Sequence, residues 1–128
     1  MAILYLETEL PIPMTVADSG TIEKGQCVKL TDPFTVAATA AANDIFGGIA
    51  AEEKISLDGK TKIAVYRSGI FVVEAGTTGV TTGLSIKIEA NNEFTSVAAD
   101  NSDLGYVWGK ALETATNGEL FLMELGTG

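Results

Sequence analysis

The sequence predicts an all-β fold: a small β-barrel or sandwich built from two pseudo-repeated β units, with an extended N-terminal arm. Three observations predict it. Short runs rich in Val, Ile and Thr alternate with turn residues in a chain that holds 14 glycines, a pattern of strands rather than helices. The dipeptides Asp58-Gly59 and Asn117-Gly118 each lie between apolar runs and favour the positive φ of a tight hairpin turn. The segments before these turns also match when the chain is laid on itself.

The arm comes first. Met1 to Asp18 alternates in character and contains Pro11-Ile12-Pro13, whose fixed φ and missing N–H donors suit an extended edge or a segment lying across a neighbour. Residues 1–16 are therefore expected to form the arm and residues 17–128 a single β domain, with repeat units at about 20–67 and 79–125. A chain of 128 residues is of the usual size for one domain.

Each unit opens on a strand after a glycine. Gly25-Gln26-Cys27-Val28-Lys29-Leu30 falls on Gly83-Leu84-Ser85-Ile86-Lys87-Ile88, 58 positions on. Alternation points Val28, Leu30, Ile86 and Ile88 inward, and Lys29, Lys87, Cys27 and Ser85 outward. Phe34-Thr35 then matches Phe94-Thr95 at 60 positions, and Gly48, Ala50 and Glu52 match Gly109, Ala111 and Glu113 at 61. A hairpin closes each unit: Ala50 to Leu57 with Thr61 to Tyr66, and Tyr106 to Leu112 with Leu120 to Leu125. The two units are expected to supply about half of one core each. Ile70-Phe71-Val72-Val73 joins them and, apolar on both faces, should be covered on both sides.

Charge narrows the partners. Eight Lys and Arg against 17 Asp and Glu give a net charge of −9, which repels nucleic acid and anionic membrane, since both are bound through clustered cations. The N-terminus lacks a basic start and a long apolar stretch, so no signal peptide is expected and synthesis is read as cytoplasmic. No apolar run approaches the ~20 residues of a membrane span. The single Cys27 permits no internal disulfide.

No catalytic residues are assigned. Histidine is absent, which removes the commonest general base. Glu52 and Glu53 are adjacent, and on a strand they would point to opposite faces rather than share a substrate. Asp100-Asn101-Ser102-Asp103 is oxygen-rich but lacks the sixth-position Gly and terminal Glu of an EF-hand loop, and such residues favour turns on their own account. Gly76 to Gly83 is Gly-rich without the Lys-Ser/Thr and helix of a phosphate loop. No metal or cofactor is expected. The candidate interface residues are the apolar positions of the arm and linking strand, Ile3, Tyr5, Ile12, Ile70, Phe71 and Val73, together with Tyr106 and Trp108, residue types enriched at binding surfaces.

Ala51-Glu52-Glu53-Lys54-Ile55 through Asp58-Gly59, then Lys62-Ile63-Ala64-Val65-Tyr66-Arg67-Ser68-Gly69-Ile70-Phe71, and later Gly109-Lys110-Ala111-Leu112-Glu113-Thr114, form a pattern of Gly-bounded strands. From about Ala17 onward this pattern resembles the head decoration, or capsid cement, proteins of tailed bacteriophages. The resemblance implies a non-catalytic, commonly trimeric β domain on the capsid exterior of a virion, with the major capsid protein as its partner. Two other readings stay open: a biotin- or lipoate-type carrier, suggested by Lys29 and Lys87 between apolar residues, and a glycan- or receptor-binding β module.

Overall fold

A computed structural model describes residues 1–97 and 106–126; the Asp100-Asn101-Ser102-Asp103 segment lies outside them. The strands are β1 (Ile3–Leu6), β2 (Ile12–Thr15), β3 (Cys27–Asp32), β4 (Thr35–Ala38), β5 (Phe46–Ala50), β6 (Lys62–Tyr66), β7 (Gly69–Ala75), β8 (Ser85–Ala90), β9 (Glu93–Ser96), β10 (Gly109–Ala111) and β11 (Leu120–Leu125).

The fold is all-β and built from two repeated units, and each unit closes into a barrel of its own. The first runs β2-β4-β3-β5-β6, sealed by the β2–β6 pairing. The second runs β7-β9-β8-β10-β11, sealed by the short parallel β7–β9 pairing. Closure leaves no free edge within either barrel. The expected single shared core is thus replaced by two apolar clusters, one around Met14, Val28, Ile63 and Val65, the other around Phe71, Ile88, Phe94, Trp108 and Phe121.

Register makes the duplication exact at the level of single residues. Val28 pairs with Ala38 and Leu30 with Val36 in the first barrel; Ile86 pairs with Ser96 and Ile88 with Phe94 in the second, all displaced by 58 positions. Val36 therefore corresponds to Phe94, and the expected match of Phe34 with Phe94 is two residues out of step. Phe34 corresponds instead to Asn92, and both sit in the left-handed region, at φ 51° and 61°. Both occupy the β-turn between paired strands, a conformation common for Asn and rare for Phe.

Gly48 and Gly109 do correspond, each opposite the central inward residue of its opening strand, Val28 or Ile86. A Cβ at either would overlap the carbonyl oxygen of the adjoining strand, Tyr66 for Gly48 and Glu124 for Gly109. Here glycine is required because two backbones cross closely.

The expected tight hairpins are longer connections. Ala50 faces Val65 and Ala111 faces Met123; Ala51 to Thr61 and Leu112 to Glu119 connect the paired strands, so Ala51 to Leu57 lie in a loop rather than a hairpin strand. In that loop Leu57 and Gly118 hold equivalent positions, both at positive φ, each donating its N–H to a carbonyl near the end of β2 or β7, Asp18 or Ala75. Asp58-Gly59 and Asn117-Gly118 are turn signals, but not at matching places.

Within residues 1–16, where an extended arm was expected, β1 and β2 are both built into the sheets. β2 is a full barrel strand, with Met14 buried in it and Val16 buried just after it. Pro13 is tolerated because β2 meets β4 only at Thr15, so its missing donor faces no ladder on that side. β1 lies outside the closed barrels, antiparallel to β7.

The barrels meet end to wall. Cys27 and Ile49, cross-strand partners on the outer wall of the first barrel, join the core cluster of the second and are fully buried. Cys27 does point out of its own barrel as alternation predicts, but into the junction rather than into solvent. Tyr66 packs edge-on against Phe71 at 5.5 Å and Phe46 against Trp108 at 5.1 Å. Around this apolar seam, Asn92 Oδ1 accepts from the Cys27 N–H at 2.8 Å, Asn91 Oδ1 accepts from Gln26 Nε2 at 2.6 Å, and Trp108 Nε1 donates to the Asp44 carbonyl at 3.0 Å. These polar groups of the seam are paired, which keeps it from costing the ~1–3 kcal/mol of each unsatisfied group.

Candidate interaction surface

β1 is an edge strand whose four residues, Ile3, Leu4, Tyr5 and Leu6, are all apolar or aromatic and all exposed. Edge strands are usually blunted by charge or proline because they offer unpaired backbone and greasy side chains to any neighbour. This one is not. Leu4 faces Phe71 and Leu6 faces Ile70, so Tyr5 is the extra residue of a β-bulge, a device that re-aims a side chain; Tyr5 is 65% exposed.

The linker after β1 is tied to the β6–β7 corner. Tyr66 Oη donates to Glu7 Oε2 at 3.0 Å, and the Thr8 and Ser68 hydroxyls are 3.1 Å apart. Burial, then the bond to Glu7 and its charge, hold the Tyr66 phenol above its ordinary value, so it stays a donor across the physiological range.

Next to this corner lies the open end of the first barrel. Ile12, Met14, Leu30, Phe34 and Arg67 line a recess of about 330 Å³. Ile12 is 37% and Phe34 68% exposed. Arg67 reaches across with its guanidinium 4.4 Å from the Phe46 ring centroid and Nη1 donating to the Gly47 carbonyl at 3.3 Å.

Of the candidate interface residues, Ile3, Tyr5 and Ile12 lie on this surface. Ile70 is half-buried on the outer side of β7, and Tyr106 is half-buried. Phe71, Val73 and Trp108 are corrected to core positions: alternation along β7 turns Phe71 and Val73 into the second barrel, and Trp108 fills its end against Phe94. Leu4, Leu6, Leu10 and Phe34 belong to the exposed surface and went unassigned. For Phe34 the signal was present, an aromatic directly after Pro33 at a strand turn, where an inward side chain has no room.

The remaining motifs have structural roles. Glu52 accepts from the Ala64 N–H at 2.7 Å, and its counterpart Glu113 accepts from the Leu122 N–H at 2.8 Å. Lys29 and Lys87 stand within β3 and β8 rather than on a protruding turn, and Lys29 lies 3.9 Å from Asp44. The Gly76 to Gly83 loop is pinned by a Val80–Ala115 bridge, the equivalent of Ile22–Lys54 in the first unit. Burial pushes the Cys27 thiol up to about 12, against a small opposing effect of the N-terminal charge, which leaves it unreactive. Lys54 is fully buried, donating to Asp18 Oδ1 at 3.0 Å, Asp58 Oδ1 at 2.6 Å and the carbonyls of Asp18 and Ile55. Burial alone would lower its pKa; the bonds and charges of Asp58 and Asp18 outweigh that and raise it. The amine is a protonated structural cross-link, not a nucleophile. Among the described residues no group of three or more His, Cys, Asp or Glu is placed to hold a metal.

Fold and surface together define a class: a protein of two stacked, duplicated five-stranded β-barrels with an apolar edge strand beside an open barrel end. No protein-family model and no curated protein matches the chain. Among solved structures it is similar to the N base of head fiber gp8.5 of bacteriophage phi29, with a TM-score of 0.56 at 13% identity, over 98% of this chain and 95% of that one. At this identity the likeness establishes the fold.

Proposed function

We propose that the chain is a non-catalytic structural component of a phage head, which binds the exterior of the shell and braces contacts between major capsid subunits. The observation that carries the reading is whole-length likeness to the N base of a phage head fiber, combined with an apolar edge strand that a lone soluble protein would normally protect. An acidic chain at net charge −9 suits a surface that must not bind the packaged or free genome. In this reading the major capsid protein is the partner, the location is the virion exterior, and copies associate as a homotrimer. Several weak contacts offered by one oligomer then act together through high effective concentration.

Co-sedimentation tests it. Purified chain mixed with phage heads stripped of it should pellet with them and saturate at a fixed number of copies per head. A chain that stays wholly in the supernatant over intact, unoccupied heads would sink the proposal.

A further inference from the structure

The internal duplication supplies a template for what the open end of the first barrel is missing. Residue for residue, Ile12 corresponds to Phe71, since both face the second inward residue of the last barrel strand, Val65 or Met123. Leu30 corresponds to Ile88. In the second barrel Phe71 is 1% and Ile88 0% exposed, because the wall of the first barrel covers them: Tyr66 lies against Phe71, and the Asn43 N–H bonds to the Ile88 carbonyl. Trp108, which fills that end, precedes Gly109 as Gly47 precedes Gly48, and a Cβ at Gly47 would lie 2.5 Å from the Val28 carbonyl oxygen. The first barrel thus has the same end without its aromatic filling and without its cover.

We infer that this recess is a socket for the Tyr5 bulge of a second copy of the chain, making a head-to-tail contact between copies. The internal end-to-wall arrangement cannot simply continue from copy to copy. The wall that would have to cover the socket carries Ser85 and exposed Lys110 where the covering wall has Cys27 and Ile49, and a polar wall does not replace that apolar pair. β1 fits instead. Among the described residues Tyr5 and Phe34 are the exposed aromatics; Phe34 forms the socket lip, which leaves Tyr5 as the ring on offer. An aromatic ring buries about 150–250 Å² and keeps a polar tip, and Arg67 at the rim presents N–H donors to a phenol oxygen. Charge agrees: Glu7 and Glu9 follow the plug in sequence, and the chain's one arginine stands at the socket. A head-to-tail contact closes into a ring or runs on as a filament.

The inference deepens the expectation that copies associate and needs nothing from shell binding, so the two fail separately. Molar mass in solution is measured by light scattering for the full chain, for Tyr5→Asp and for Phe34→Asp, with circular dichroism confirming that both variants fold. The full chain should exceed the 13.3 kDa of one copy, and each variant alone should weigh one copy. Mixing the variants restores a single plug–socket contact, so the mixture should give pairs and nothing larger. A monomeric full chain, a variant that still assembles, or a mixture that stays monomeric would each overturn the assignment, whatever the heads bind.

Discussion

Two N-terminal truncations separate β1 from β2. A chain starting at Glu7 loses β1, whose side chains are all exposed, and half-buried Ala2, whose single methyl is the part of this segment packed on the core, so it forfeits little burial. It loses the β1–β7 ladder and the bond from the Ala2 N–H to the Gly25 carbonyl. At a net ~0.5–1.5 kcal/mol per bond this comes to about 2–4 kcal/mol, a fraction of the ~5–15 kcal/mol of a typical domain. A chain starting at Val16 loses β2 as well. Deleting buried Met14 alone corresponds to about 2–5 kcal/mol, and without β2 the first barrel stands open between β4 and β6. The total approaches the stability of the whole domain. Urea unfolding followed by far-ultraviolet circular dichroism and by Trp108 fluorescence should show one cooperative transition at a lower midpoint for the first chain, and no cooperative transition of full amplitude for the second. If the chain from Val16 unfolded like the intact protein, β2 would not be a barrel strand and the duplicated topology would be wrong.

Trp108→Ala, which empties the end of the second barrel and orphans the Asp44 carbonyl, should cost about 3–5 kcal/mol in denaturant unfolding; a loss under 1 kcal/mol would mean the indole is not in the core. Gly48→Ala should destabilise by at least ~1–3 kcal/mol, because φ of +138° and the Tyr66 carbonyl both oppose a Cβ. The Lys54 bond, then those from the Lys60 and Ile55 backbone, outweigh burial to hold Asp58 down at about 2. A depressed carboxylate stabilises above its unfolded value and loses that contribution as pH falls through about 2. The raised Lys54 contributes below its ordinary value, and its share is lost only as pH climbs through the higher folded one. Melting temperature should therefore fall below pH 4 less steeply in Lys54→Met than in the parent; equal slopes would show that the cluster does not govern acid stability. Glu119, lowered by its bonds to Thr116, keeps some acid dependence in both.

Much of this fold was legible because β-alternation and glycine spacing carry it. The Val28/Ile86 strand match, the Gly48/Gly109 match and the inward parity all hold in the structure. What the sequence hides is closure. A period of two says which side of a strand is apolar, not whether that side faces its own barrel or a neighbouring one, and Cys27 and Phe71 are both settled by that difference. The exposed apolar surface was half legible for the same reason: Ile3, Tyr5 and Ile12 sit in alternating or bulged strands that look like core strands, and only the pairing partners show which were left uncovered.

The two copies of one topology have diverged at both ends of the barrel. At the loop that closes each barrel, Lys54 in the first unit stands where Ala115 stands in the second, bridged in the same way to Ile22 and Val80. Asp58 caps its turn by accepting from the Ile55 N–H, as Glu119 accepts from that of Thr116. The backbone thus tolerates either an ionic cross-link or a methyl at one site. At the other end the divergence is directional: Phe71, Ile88 and Trp108 fill and are covered, whereas Ile12, Leu30 and Gly47 leave a hollow. Two identical units would have had two equal ends and a contact as ready to form between chains as within one. Making one wall apolar and the other polar confines the end-to-wall contact to a single chain, and leaves the remaining socket to the Tyr5 bulge of a second copy.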